Sequence, residues 1–492
     1  MVTAVIQTQV RPATVFSELP ENEIKHCIVP LSEIVSGRYC LDASYFNIIA
    51  RQAAADVQAC RFPKAALIDG NSFVRKAHYG GRLKRNYIAK ICNSAIGFIG
   101  SSEMLDTNPK PVKFMDSTSI DADSLRLKKD SVLISRSGTI GKLTYVNDTL
   151  SNLLVSEHAI RLECADNISG YVFAFLKSRI GQALVQSKIF GAVVQEIEPE
   201  HLANIPIPNP PNEIKSRIND LIVHSFGLRD KSNDLIDKAT ASLADELCLP
   251  PIDKVPITHF SDASDVSNYT VKLSDLSGRL DGSYHVPIAR AIEGYLRQHA
   301  MEVLTVGDAR VSKNIVLPGR FKRLYVAEGQ GRVFFGGKQI GELDPSNKKY
   351  LSTSCLSANA KTELEILENT TLITRSGTIG RVAIAPRHWG KWMASEHIIR
   401  VFPASDSIAG FLYIFLASEY GHSLITRFTY GSVVDEIDAN HVSRIPFPIL
   451  KNTAVQDEIN TLALKANSMR SDAYELEQRA IKLMNDEVIY AR

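Results

Sequence analysis

Apolar positions along this chain follow two periods. Short apolar runs bounded by Gly or Asn/Asp turns, as in SVLISRSG (Ser131–Gly138), AIRLEC (Ala159–Cys164), TLITRSG (Thr371–Gly377) and HIIRVFP (His397–Pro403), predict β-strands. Two longer stretches, GYVFAFLKSRIGQALVQS from Gly170 and GFLYIFLASEYGHSLITR from Gly410, place apolar residues at helical spacing, and each predicts one buried amphipathic helix. Two further runs step by four and three throughout. The first is Ile214, Ile218, Leu221, Ser225, Leu228, Ser232, Leu235, Ala239 and Ser242. The second is Val455, Ile459, Leu462, Ala466, Met469, Ala473, Leu476, Ala480 and Leu483, and it is wholly apolar. Prolines stand just before each run and none falls inside, as a helix start requires. Both read as the a/d seam of a coiled coil, each helix roughly 54 Å long at 1.5 Å per residue.

The elements occur twice. RSGTIG followed by a basic residue stands at Arg136–Lys142 and again at Arg375–Arg381, 239 positions later. SEHAIRL (Ser156–Leu162) is matched by SEHIIRV (Ser395–Val401), GGRLKRNYI (Gly80–Ile88) by PGRFKRLYV (Pro318–Val326), and SGRYCLDASY (Ser36–Tyr45) by SGRLDGSY (Ser277–Tyr284). Order is kept throughout, so the chain is a tandem duplication with a period too long for a solenoid. The fold class expected is α+β: two homologous mixed α/β domains in tandem, each followed by a long helix, the two helices pairing as an antiparallel coiled coil. The expected division is a lead-in over 1–29, a first domain over 30–210, a first helix over 211–250, a second domain over 251–450 and a second helix over 451–492. The alternative is that each helix packs separately on its own domain.

Bulk properties narrow the function. The 492 residues are 45% hydrophobic and 22% charged, an ordinary globular composition. No run of eighteen apolar residues predicts a membrane span and the N-terminus has no signal-peptide pattern, so a cytoplasmic protein is expected. Seven cysteines (Cys27, Cys40, Cys60, Cys92, Cys164, Cys248, Cys355) form no C-x-x-C, which argues against disulfides and a zinc site. A formal net charge of +2 argues against nonspecific coating of nucleic acid but leaves room for a local basic face.

Such a face is concentrated in RKAHYGGRLKRNYIAK, with Arg75, Lys76, Arg82, Lys84, Arg85 and Tyr87, and in its second copy with Arg320, Lys322, Arg323 and Tyr325. Basic loops carrying aromatic residues at the same place in both domains predict DNA contact, against the alternative of a solvated charged loop. In the RSGTIG loops the paired glycines imply a tight turn with positive φ. Arg136, Ser137 and Thr139, with Arg375, Ser376 and Thr378, either hold a phosphate or form a structural turn whose arginine pairs with Glu157 or Glu396. Glu157-His158 and Glu396-His397 lack a further His or Cys at ligand spacing and read as structural. The chain has no Walker A loop, no G-x-G-x-x-G and no Ser/His/Asp arrangement. NPPN (Asn209–Asn212) lacks the aromatic residue that completes an amino-methyltransferase motif. A non-catalytic chain without a metal site is expected.

Two repeats that each hold RSGTIG, end in I-P-I/F-P and lead into a long helix resemble the specificity subunit of type I restriction-modification enzymes, over nearly the whole chain from about Pro30. The resemblance implies two target recognition domains reading a bipartite site in double-stranded DNA. It implies spacer helices that dock DNA methyltransferase subunits, two of them, with Ile218, Leu221, Leu228, Leu235, Ile459, Leu462, Met469 and Leu476 at that interface. It further implies that S-adenosylmethionine, ATP and Mg sit on partner subunits, that a motor/restriction subunit joins the complex, and that the role is DNA methylation in antiviral defence. Alternatives are a recognition subunit of another methyltransferase-based defence system, a stand-alone DNA methyltransferase or nuclease, and a structural protein that binds other proteins through the coiled coil.

Overall fold

The computed structural model describes residues 29–36, 47–82, 85–90, 92–189, 195–255, 269–276, 278–345, 348–431 and 434–491. All but the last residue of the N-terminal lead-in, Lys84, and most of the SGRYCLDASY block lie outside the described residues.

Each repeat builds the same two four-stranded sheets in the same order. In the first repeat one sheet runs Val74–His78, Ala159–Cys164, Val132–Ser135, Leu143–Tyr145, all antiparallel. The other runs Tyr87–Ile88, Lys113–Asp116, Ala95–Ile99, Leu154–Val155, its last pair parallel. The second repeat gives Ser312–Val316, Ile398–Pro403, Thr371–Thr374, Val382–Ile384 and Tyr325–Val326, Lys349–Leu351, Arg332–Phe335, Met393–Ala394. Even the register shift on the first strand recurs, between Val74 and Lys76 and between Ser312 and Asn314. The duplication read from the loops is therefore a duplication of topology.

The buried stretches from Gly170 and Gly410 differ from expectation. Each is two helices, Ser169–Lys177 with Arg179–Gln186 and Asp406–Ala417 with Glu419–Thr426, the second pair bent by 74°. Periodicity continues across the break, but Ser178 and Ser418 stop the first helix and cap the next, accepting from Gly181 N and Gly421 N at 3.1 Å. Among the described residues no single helix is long and apolar enough to cross a membrane.

The spacer helices Asn212–Glu246 and Thr453–Leu483 pair antiparallel, because cross-helix partners fall in one as they rise in the other. Arg217 meets Glu487 at 3.0 Å, Ser225 Oγ donates to the Ala473 carbonyl at 2.7 Å, Arg229 pairs with Glu477, and Lys238 meets Glu458 at 2.8 Å. The expected seam is correct at its a positions (Ile218, Ser225, Ser232, Ala239; Ile459, Ala466, Ala473, Ala480), all buried. At the d positions it is displaced by one residue. Ile222, Ile236 and Leu243, with Ala463, Arg470 and Glu477, are buried, whereas Leu221, Leu228, Leu235, Leu462, Met469 and Leu476 are half-buried beside them. The cause is a second set of neighbours. The core of the first repeat takes Ile218, Ile222 and Phe226 from one helix, Ala480 from the other and Met484 from the turn that follows it. The core of the second takes Ile236, Ala239 and Leu243 with Ile459, Ala463 and Ala466. Each helix thus serves its partner helix and both domains, and the domains rotate its buried face.

Candidate nucleic-acid interface

The RSGTIG loops leave the strands Val132–Ser135 and Thr371–Thr374. Gly138 and Gly141 have φ of 76° and 79°, as do Gly377 and Gly380, a conformation that excludes most side chains. The turn closes on itself: Gly141 N donates to the Ser135 carbonyl at 2.9 Å, Lys142 N to Ser135 Oγ at 2.9 Å, and Arg381 N to Thr374 Oγ1 at 2.9 Å.

The arginine of each loop is turned inward. Arg136 is 4% exposed, lies 2.8 Å from Glu196, pairs with Glu198 and covers the Tyr79 ring at 4.3 Å. Burial works against its charge, but Glu198 and Glu196 outweigh it and hold its pKa above the ordinary value. Arg375 pairs with Glu436 in the same way. Both arginines pair with carboxylates, but not with those expected: Glu157 and Glu396 are taken by Arg85 at 2.7 Å and Arg323 at 2.6 Å. Against burial, Arg85 draws the Glu157 carboxyl below its usual range. Ser137 Oγ lies 2.6 Å from His158 Nδ1, and Ser376 Oγ 2.8 Å from His397 Nδ1, so both histidines tie the loop to the strand that follows. Thr139 and Thr378 are exposed at the loop tips.

The outward-facing groups are fewer. Arg82 is 71% exposed, 3.9 Å from Glu196, and Lys76, Arg320 and Lys322 are exposed. Arg75 is engaged by Asp166 at 3.1 Å. Tyr87 and Tyr325 are 43% and 41% exposed, their rings against Phe98 and Phe334 at 6.0 and 6.2 Å. Above each lies a lysine that sequence reasoning missed: Lys113 Nζ is 5.3 Å from the Tyr87 ring and Lys349 Nζ 5.0 Å from the Tyr325 ring. These lysines come from the neighbouring strand, more than twenty residues downstream, where the two repeats look little alike; only the strand pairing brings them together. A ring face with ammonium groups beside it is suited to sugar, base or phosphate. Among the described residues no group of three or more His, Cys, Asp or Glu could hold a metal ion.

Residues 80–232 match the family model of the type I restriction modification DNA specificity domain. Among solved structures, the type I restriction-modification system S subunit from M. genitalium is 15% identical, covering 87% of this chain and 96% of its own, with a TM-score of 0.34. The HsdS subunit from Thermoanaerobacter tengcongensis is 13% identical, covering 86% and 95%, with a TM-score of 0.27. No curated protein matches the chain. With a specificity-domain match over 80–232, a second copy of the same topology and an antiparallel pair of spacer helices, the chain resembles the specificity subunits of type I restriction-modification systems.

Proposed function

We propose that this chain is the non-catalytic, DNA-reading specificity subunit of a type I-like restriction-modification complex, working in the cytoplasm in methylation-linked defence. Each repeat reads one half-site of a bipartite target in double-stranded DNA, and the DNA between is not read. The observation that carries this reading is the repeated surface on units joined by antiparallel helices: Arg82, Tyr87 and Lys113 in one unit, Arg320, Tyr325 and Lys349 in the other. An antiparallel pair relates the units by an approximate two-fold axis, so they meet the duplex with opposite polarity. The half-buried apolar residues Leu221, Leu228, Leu235, Leu462, Met469 and Leu476 suit a docked protein better than water, and here the two methyltransferase subunits bind. S-adenosylmethionine, and ATP with Mg for a motor/restriction subunit, belong to those partners.

The test is purification of the tagged chain from its host, identification of the bound subunits, and mapping of the bases they methylate. A methyltransferase with a bipartite site supports the reading, and a motor ATPase in the same complex assigns it to type I. Methyl transfer by the chain alone, or no methyltransferase bound, overturns it.

A further inference from the structure

The two recognition units touch each other directly, and the basic residue that ends each RSGTIG loop makes the contact. Arg381 Nη2 lies 2.7 Å from Asp106 of the other unit. Lys142 Nζ lies 3.9 Å from Glu342 of the other unit. Arg381 and Lys142 hold the same place in their repeats. Asp106 closely follows the turn Glu103–Leu105, and Glu342 the turn Gly337–Gln339, which come next after the equivalent strands Ala95–Ile99 and Arg332–Phe335. The contact is thus self-complementary: each unit gives the other a cation and takes one in return, as in an interface across a two-fold axis. Between the pairs, Thr107 N donates to the Gly341 carbonyl at 2.9 Å. A Cβ at Gly341 would lie 2.2 Å from Asp106 Oδ1 and 2.7 Å from Arg381 Nη2, so a side chain there would displace the Asp106–Arg381 pair.

The contact is also wired to the helices. Asn233 Nδ2 of the first spacer helix donates to the Thr107 carbonyl at 2.8 Å, and Arg470 Nη2 of the second donates to Asn233 Oδ1 at 3.3 Å. Lys142 and Glu342 are buried, and the Asp106 side chain is 12% exposed. A surface charge pair adds little, but a buried pair that loses one partner leaves an uncompensated charge inside, so removing one member should force the interface apart.

We propose that this latch, Asp106–Arg381 with Glu342–Lys142, acts together with the spacer helices to fix the separation of the two recognition surfaces and so the length of the unread gap. The latch makes Asp106, Lys142, Glu342 and Arg381 positioning residues for target choice, although none of them reads a base. The proposal rests on the bipartite reading given above, but its first measurement does not.

The experiment has two readouts on the full chain. Fluorophores placed by unnatural amino acids at exposed Asn71 and Lys313 report the distance between units without DNA. Selection from random duplexes, with the chain purified from its host together with its bound subunits, reports the preferred gap. Asp106→Asn combined with Glu342→Gln should lengthen the distance and broaden the gap by one or more base pairs while both half-sites persist. Exchanging the charges, Asp106→Arg with Arg381→Asp, should restore both. Should the double variant unfold, Gly341→Ala is the second wedge, with the same outcome expected. A folded variant whose distance and gap profile equal those of the wild type overturns the latch. If no bipartite target emerges even for the wild type, the proposed function fails, and the distance still decides whether the latch holds the units.

Discussion

Asn219 accepts a hydrogen bond from the backbone N–H of Gly170 at 2.9 Å, and Asn460 does the same for Gly410 at 2.8 Å. Each repeat is seated on its spacer helix at this point. The glycine that opens both buried helical stretches is there because of it: a Cβ would lie 2.6 Å from the Asn219 carbonyl oxygen, or 2.4 Å from that of Asn460. Backbone on both sides leaves nothing to yield. Gly170→Ala and Gly410→Ala should each destabilise the chain by about 1–3 kcal/mol. Gly227, in the first spacer helix with nothing within 4 Å of its added Cβ, is the control, and its replacement by Ala should stabilise by about 0.5–1 kcal/mol. Urea unfolding of the three variants measures both signs.

The repeated SEH-x-IR block has a structural cause in its arginine. Arg161 donates to the carbonyls of Val155, Leu125 and Ala159 at 2.8, 3.2 and 3.3 Å, and the fully buried Arg400 donates to Ser395 at 3.0 Å and Leu364 at 3.3 Å, with further contacts to Ala394 and Ile398. Burial pulls their pKa values down to about 10 and about 9, against the nearby Glu157 and Glu396, so both remain charged at neutral pH. Arg161→Leu and Arg400→Leu strand several buried carbonyls, at about 1–3 kcal/mol for each group left unpaired. Loss of about 3 kcal/mol or more in urea unfolding is expected. Arg75→Ala, which removes an exposed, solvent-screened pair with Asp166, should leave the unfolding midpoint close to that of the wild type.

His388 gives the chain an acid-sensitive point. Its ring stacks on Tyr474 at 3.9 Å and its Nε2 lies 3.0 Å from the Leu343 carbonyl, so Nε2 carries the proton and Nδ1 is buried without a partner. Burial pushes its pKa down to about 4, although the Leu343 carbonyl and Asp344 favour the charged form. The unfolded chain binds this proton near pH 6.5 and the folded chain only near 4. The stability His388 contributes is therefore complete above pH 6.5 and falls away as pH drops toward 4. Asp106, raised to about 6 mainly by burial and against the pull of Arg381, acts with the opposite sign over part of this window. A Tm profile from pH 7 to 4 should be flatter in His388→Asn than in the wild type, and equal slopes would assign the acid limb elsewhere.

Much of this architecture was legible because a duplicated sequence comments on itself. RSGTIG, the SEH-x-IR block and the paired heptads fixed two similar units and two helices, and the positive φ at Gly138 and Gly141 follows from the glycines alone. What escaped notice depends on contacts between distant segments. The d positions of the coiled coil moved by one because the domains, as well as the partner helix, bury Ile222, Ile236 and Ala463. Arg136 is matched to Glu157 in the sequence because its actual partners Glu196 and Glu198, sixty residues on, reach it only after folding. Lys113 and Lys349 were invisible for the same reason, and the latch joins parts of different repeats, where no local period operates.

Removal of exposed cations separates DNA contact from scaffolding. Lys322→Ala, Lys113→Ala and Lys349→Ala, like Arg82→Ala, should each weaken binding and reduce the slope of log affinity against log salt by about one unit. Arg136→Lys, at a cation already satisfied by carboxylates, should lower stability and leave the slope of the remaining folded protein unchanged. Titration from low to moderate salt with the assembled complex distinguishes these cases, and an unchanged slope in all four surface variants would place the DNA on another face.

Spacer and latch make different demands on the same gap, and this allows them to be set against each other. Seven residues inserted in each spacer helix, near Arg229 and near Arg470, preserve the heptad phase and lengthen the pair by roughly 10.5 Å. At roughly 3.4 Å per base step that is about three base pairs. With the latch intact the added length pulls Asp106 away from Arg381 and Lys142 from Glu342, so the inserted chain should melt earlier than the wild type, by several degrees for a loss of about 2–4 kcal/mol. Its gap should lengthen by fewer than three pairs wherever the latch resists. With Asp106→Asn and Glu342→Gln added, the strain has no anchor and the gap should lengthen by the full three, both half-sites unchanged. Sequencing of methylated sites in cells carrying each variant measures this directly. If the half-sites change while the gap stays fixed, neither helix length nor the contact between units sets the spacing, and the spacer and latch readings fail together.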